Sequence, residues 1–295
     1  VTAAKAQAEV GRVAATMLES LGQHRLLLTR QIHELHAPAA SRQWAHRKLA
    51  RLRAGGLVAG TRAPGGRLLW HLTDQGSQAL EEIASRKGKT LTPERAAGPL
   101  REHTIAVNDV GIAFVRAARE RDEECGPFDW RHEVAHSLGP PPGRRMPEQL
   151  ISDAVLTYEL REPDGSTSIL YRFIELDRAN RSAVDLTRRL GRYARLYRRQ
   201  VRAEGAGGSV ALWSRLYPVF PTVLVVLAGR RADRLEDRRR TVLALCRQDP
   251  DLAETPEVEV SICLLDDLAE RGPFAPICRT AADPGRPVDW LGEGS

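Results

Sequence analysis

The sequence predicts an α+β protein of two domains, and three observations predict it. The chain has 295 residues, 42% of them hydrophobic, which is more than one core needs. Its first 85 residues read as short helices followed by a glycine-punctuated hairpin. The later part reads as one long helix, three strands, then helix–strand alternation. That is the order of a mixed sheet with helices on both sides.

Charge divides in the same way. The chain carries a net +6, with a pI of about 9.4. Residues 1–98 hold 15 Lys+Arg against 7 Asp+Glu, whereas the rest hold 29 against 31. The excess cation belongs to the front of the chain and argues for a local polyanion site. All four lysines (Lys5, Lys48, Lys87, Lys89) precede residue 90, and the other 40 basic residues are arginines. Cys125, Cys246, Cys263 and Cys278 are far apart, with no Cys-x-x-Cys pair. That argues against structural zinc and fits reduced thiols in a cytoplasmic protein. No apolar run approaches the ~18 residues of a membrane helix, so no membrane partner is expected.

In the first domain, residues 3–22 place Val10, Val13, Ala14, Met17, Leu18 and Leu21 on one helical stripe, with Gly22 as the stop. Leu26–Leu28 is a short buried run, and Thr29 caps a helix through His36 that Pro38 ends. A helix from Ser41 follows, with Trp44, Ala45, Leu49 and Leu52 inward and Gly55-Gly56 as terminator. Its outer arc holds Arg42, Gln43, His46, Arg47, Lys48, Arg51 and Arg53, and residues 41–53 contain no carboxylate. Strands at residues 57–60 and 68–72 flank the turn Pro64-Gly65-Gly66, and Thr73 caps a last helix to Ser85. This order is that of a winged helix-turn-helix over residues 1–85. Arg42, Gln43, Arg47, Lys48, Arg51 and Arg53 are its expected double-stranded DNA contacts, with Arg62 and Arg67 on the wing. The same pattern also suits a solvated helix face or a protein-contact module. Residues 86–98, polar and without periodicity, read as a linker.

The second domain spans residues 99–295. A helix over 99–123 leads to strands at 128–138, 151–160 and 168–176, with a loop at 140–145 and a Pro163-Asp164-Gly165 turn. Helices at 181–202 and 231–246 alternate with strands at 221–227 and 258–265. Glu133 lies in the first of these strands, Asp153 opens the second, and Glu175 and Asp177 share a face of the third. The order matches the restriction-endonuclease-like PD-(D/E)xK core, in which Asp153, Glu175 and Asp177 would be both the catalytic acids and the ligands of Mg²⁺ or Mn²⁺. The lysine of that motif is absent: Asp177 stands in its place, and no lysine follows residue 89. Residues 178–202 hold nine arginines and one acid. Arg188, Arg192 and Arg195 are expected to touch phosphate, or to pair with surface acids. Tyr193 and Tyr197 fall on the apolar face of that helix, as core residues or as nucleophiles.

The chain resembles the actinobacterial replication-relaxation proteins, which are similar to MobC-type mobilisation relaxases. The resemblance rests on Leu-Leu-Thr-Arg-Gln-Ile (27–32), Leu-Arg-Ala-Gly-Gly-Leu (52–57) and Trp-His-Leu-Thr-Asp-Gln-Gly (70–76). It continues through His103 with Val-Asn-Asp-Val (107–110), Ser-Asp-Ala-Val-Leu (152–156), Phe-Ile-Glu-Leu-Asp-Arg (173–178) and Gly-Arg-Tyr-Ala-Arg-Leu-Tyr (191–197). It implies a role in plasmid or mobile-element replication, DNA relaxation or transfer. Two functions stay open: a metal-dependent DNA-nicking relaxase, or a non-catalytic initiator or transcriptional regulator. In the second, a degenerate nuclease-like domain would serve oligomerisation, leaving room for a homodimer, or partner binding.

Overall fold

The computed structural model describes residues 11–84, 98, 100–139, 146–203 and 207–293. The expected helix residues 3–10, nearly all of the linker 86–98 and the loop 140–145 lie outside the described residues. The chain divides into two units. One runs to Arg116 and takes in Cys125–Arg131; the other holds Ala117–Glu124 and His132 onward.

The first unit opens with α1 (Arg12–His24), which buries Ala14, Met17, Leu18 and Leu21. The helix continues through Gly22, expected as its stop, and ends where Arg25 takes a positive φ of 67°. Its last turn is an interior one. His24 is fully buried, stacks on Trp130 with centroids 4.1 Å apart, and its Nε2 lies 2.6 Å from the Pro127 carbonyl. Burial drops its pKa to about 3, so the ring is neutral. β1 (Leu27–Leu28) leads directly into α2 (Thr29–His36). The cap position belongs to Leu28 and not to Thr29. The Leu28 N–H donates to Gln31 Oε1 at 2.9 Å, while the Thr29 hydroxyl accepts from Trp70 Nε1 at 2.9 Å.

Next come α3 (Arg42–Ala54), β2 (Val58–Arg62), β3 (Leu68–Leu72) and α4 (Asp74–Ala84). The three strands form an antiparallel sheet in the order β1-β3-β2. Thr73 closes the hairpin onto α4: its hydroxyl accepts from Gly76 N–H at 3.0 Å and donates to the Gly56 carbonyl at 2.6 Å.

α5 (Arg101–Arg121) reads in sequence as the start of the second domain, yet its residues through Arg116 belong to the first unit. Side chains explain the difference. Asn108 donates to the Leu26 carbonyl at 2.8 Å. Gln31 donates to the Ile105 carbonyl at 3.0 Å and to Asp109 at 2.7 Å, and Arg30 pairs with Asp109 at 2.7 Å. Ile105 joins Leu28, Ala63 and Leu69 in one buried cluster. At Gly111 an added Cβ would lie 2.5 Å from the Trp130 ring, so only glycine lets the indole lie this close.

The second unit is built on a six-stranded mixed sheet in the order β11-β10-β9-β6-β5-β4. The strands are β4 (Trp130–Gly139), β5 (Glu148–Arg161), β6 (Thr167–Asp177), β9 (Thr222–Leu227), β10 (Val260–Leu264) and β11 (Arg279–Thr280). β5 and β6 pair antiparallel through a tight turn in which Gly165 has φ 86°. β6, β9 and β10 are parallel, because α6 (Ala183–Arg198) and α7 (Ala232–Gln248) carry the crossovers. The continuous apolar run of β9 has five of six residues buried, as expected for a central parallel strand. Phe173, Leu190, Tyr193, Val223, Val225 and Ile262 centre the core. All four cysteines are free and buried.

The arginine-rich helix is shorter than its spacing predicts. It ends at Arg198, and Gln200–Arg202 (β7) pairs with Ser209–Ala211 (β8), where Trp213 stacks on Tyr197. The small elements α8 (Pro250–Ala253) and α9 (Leu265–Arg271), and strand β11, are too short for periodicity to reveal. Among the described residues no helix is long and apolar enough to cross a membrane.

Gly76 supplies a stability test. A Cβ there would meet the Leu57 carbonyl oxygen at 1.9 Å, and backbone cannot yield as a side-chain end can. Gly76→Ala is expected to lower unfolding stability by about 1–3 kcal/mol in a denaturant titration.

Candidate functional site

The apolar period of α3 decides what the rest of the helix presents. Ala45, Leu49 and Leu52 face the core, so Arg42, Gln43, His46, Arg47, Arg51 and Arg53 are exposed. Lys48 is half-buried, its ammonium 6.0 Å from the Trp44 ring centroid. Arg62 on β2 is exposed too. Arg67, expected as a wing contact, is exposed and pairs its guanidinium with Glu102 at 3.0 Å. Between α2, α3 and the hairpin lies a hollow of about 350 Å³, lined by Thr29, Arg30, Arg42, His46 and Arg67 among others.

The acids of the second unit sit on β5 and β6. Asp153 accepts from the Leu176 N–H at 2.8 Å and lies 3.5 Å from Arg189 Nη2. Glu175 accepts from Arg189 Nε at 2.6 Å and from the Tyr193 hydroxyl at 2.5 Å. Arg189 also donates to the Ile151 carbonyl at 2.6 Å. Asp177 is held by Arg238 of α7 and accepts from the Ala179 N–H at 3.2 Å. Glu133, on β4, is exposed and has a φ of 51°.

These residues do not fit a divalent ion. A metal bound by Asp153 and Glu175 needs their oxygens, and the Arg189 guanidinium already engages both, while Arg238 engages Asp177. Among the described residues no three His, Cys, Asp or Glu side chains are grouped to hold a metal. The expected metal set of Asp153, Glu175 and Asp177 is therefore split between two arginines.

The arginine face of α6 is likewise engaged within the fold. Arg192 pairs with Glu148 at 3.0 Å, Arg195 reaches the same carboxylate, and Arg188 pairs with Asp185 at 2.7 Å. Tyr193 is fully buried, and burial with the adjoining Glu175 charge pushes its phenol well above the usual range. Sequence reasoning missed Arg189 and Arg238 as partners of the acids. A signal existed for Arg189. It lies three residues from Leu186 and four from Tyr193, beside the buried stripe of the helix.

Burial, joined by the charge of Asp153, pushes the Glu175 carboxyl up from 4.5 to about 7, against the pull of Arg189 and Tyr193. A carboxyl with a raised folded pKa favours folding when protonated. Wild type should therefore lose stability relative to Glu175→Gln as pH rises from 4.5 towards about 7, read from paired unfolding midpoints. Arg189→Ala leaves two interior carboxylates without their cation. It should cost about 3 kcal/mol, much of it recovered by adding Glu175→Gln.

No curated protein and no solved structure matches the chain. The replication-relaxation family matches residues 18–212, which take in all of α2 to α6 and more than half of the 295 residues. The chain belongs to the replication-relaxation family.

Proposed function

We propose that the chain is a sequence-specific duplex-DNA-binding protein of plasmid or mobile-element replication, relaxation or transfer, acting in the cytoplasm. It grips DNA with α3 and the β2–β3 hairpin as a winged helix, and it acts without cutting. The observation that carries this reading is the outer face of α3. Arg42, Arg47, Arg51 and Arg53 are exposed there beside Gln43, on a helix without a single carboxylate. Such a face suits the major groove, where arginine reads guanine and glutamine reads adenine, with the remaining cations on phosphate. Family membership adds that the setting is replication or relaxation.

Strand cleavage by a metal on Asp153, Glu175 and Asp177 fits less well. The second unit offers no lysine, and its acids are engaged by arginines. The second unit then serves assembly or partner contact, in keeping with a degenerate nuclease-like domain.

Two measurements test the reading. Arg47→Ala with Arg51→Ala should weaken binding to the element's own origin and lower the slope of log affinity against log salt by roughly 2, with the melting temperature unchanged. Supercoiled plasmid carrying that origin should stay closed with Mg²⁺ or Mn²⁺. Nicking that disappears in Asp153→Ala would overturn the non-cutting half of the proposal. Salt-insensitive binding, or none, would overturn the first half.

A further inference from the structure

The C-terminal ends of β6 and β9 lie side by side. Asp177 is in register with Leu227, and the Ala228 N–H donates to the Asp177 carbonyl at 2.8 Å. Two loops leave from this point, residues 178–182 into α6 and residues 228–231 into α7. Arg238 ties them together: it donates to the Asp177 carboxylate and, at 2.9 Å, to the Arg181 carbonyl. The two loops and the first turn of α7 carry Arg178, Arg181, Arg230, Arg231 and Arg234. The first is half-buried and the other four are exposed.

The fold makes little use of these five. Arg231 pairs with Asp233 at 2.6 Å, and Arg234 lies in the field of the same carboxylate. Among the described residues the side chains of Arg178, Arg181 and Arg230 make no hydrogen bond or ion pair. By contrast, Arg189, Arg192, Arg195, Arg198 and Arg238 each meet a carboxylate within the unit. Cations that nothing in the fold answers cost charge repulsion, so a ligand is the simplest reason for three of them beside two that share one carboxylate. The place agrees. In open sheets, ligands bind beyond the carboxyl ends of parallel strands, where helices begin. The positive dipole end of the 17-residue helix α7 lies here too, where the Asp233 carboxylate takes up backbone N–H groups of its first turn.

We propose that this double loop is a second nucleic-acid contact of the chain, binding the phosphodiester backbone without regard to sequence. The proposal rests on the DNA-binding reading above for the identity of the anion. Guanidinium groups suit it, since each can take a phosphate through two parallel hydrogen bonds. The arginine face of α6, which composition alone suggests for this task, is already engaged by Glu148 and Asp185. The phosphate surface lies at the start of that helix and of α7 instead.

The test is anisotropy of a labelled duplex of unrelated sequence with the full chain, titrated with salt. Arg181→Gln/Arg230→Gln/Arg234→Gln should lower the salt slope by roughly 2 to 3 and weaken binding on the order of tenfold at low salt. Its melting temperature should match wild type, because all three side chains are exposed. Arg240→Gln, which removes an exposed cation of α7 already paired with Asp237, should leave both readouts unchanged. A triple variant that binds like wild type, while Arg47→Ala/Arg51→Ala weakens binding, overturns this proposal and leaves the earlier reading standing. The reverse pattern overturns the earlier reading and keeps this one. Equal losses from Arg240→Gln and the triple variant overturn it as generic charge loss, and a wild-type chain that ignores the duplex overturns both.

Discussion

Two carboxylates inside the second unit, Asp153 and Glu175, set conditions that the elements around them must meet. Glu175 is 2% exposed on a central strand. A charge there loses its water and must be compensated by protein groups or given up by protonation. Arg189 supplies the compensation from α6, and in doing so it joins that helix to β5 and β6 through two acceptors, Glu175 and the Ile151 carbonyl, and an ion pair with Asp153. Tyr193, one turn further along α6, fills the other side of Glu175. Helix position, strand register and ionisation state are thus one coupled choice. The same logic governs Asp177, where Arg238 brings α7 to the end of β6. A guanidinium compensates these charges through hydrogen bonds and offers no coordination position for water.

This coupling also explains how much of the fold could be read beforehand. Strongly patterned elements were legible: the glycine-turned β2–β3 hairpin, the continuous apolar run of β9, and the amphipathic α6 and α7. Boundaries failed where tertiary contacts overrode local signals. Gly22 stayed helical because the turn after it is interior, and α6 ended early because Tyr197 stacks on Trp213 and residues 200–202 find a strand partner. The candidate site was half legible. Spacing brought Asp153 and Glu175 to adjacent strands, but no pattern of acids reveals which cation lies between them. The partners stand 14 residues from Glu175 for Arg189 and 61 residues from Asp177 for Arg238.

The motifs behind the family resemblance do structural work that spacing did not disclose. Arg30 and Gln31, from the 27–32 segment, donate to Asp109 of the 107–110 segment, and its neighbour Asn108 donates to the Leu26 carbonyl. Thr73 and Gly76, from the 70–76 segment, lock α4 against the turn at Gly56 and Leu57. Polar residues that look like recognition chemistry are here satisfying backbone groups in the interior.

The placement of α5 sets the limits within which the front module could be excised or exchanged. Cut in the polar stretch near residue 90, a fragment would lose Ile105, Asn108 and Asp109, and with them the lid over Leu28, Ala63 and Leu69. It would also lose Trp130, the stacking partner of His24. A piece that keeps the contacts of the first unit has to run through Arg131, so recombination between relatives would keep those contacts only by carrying that long helix along.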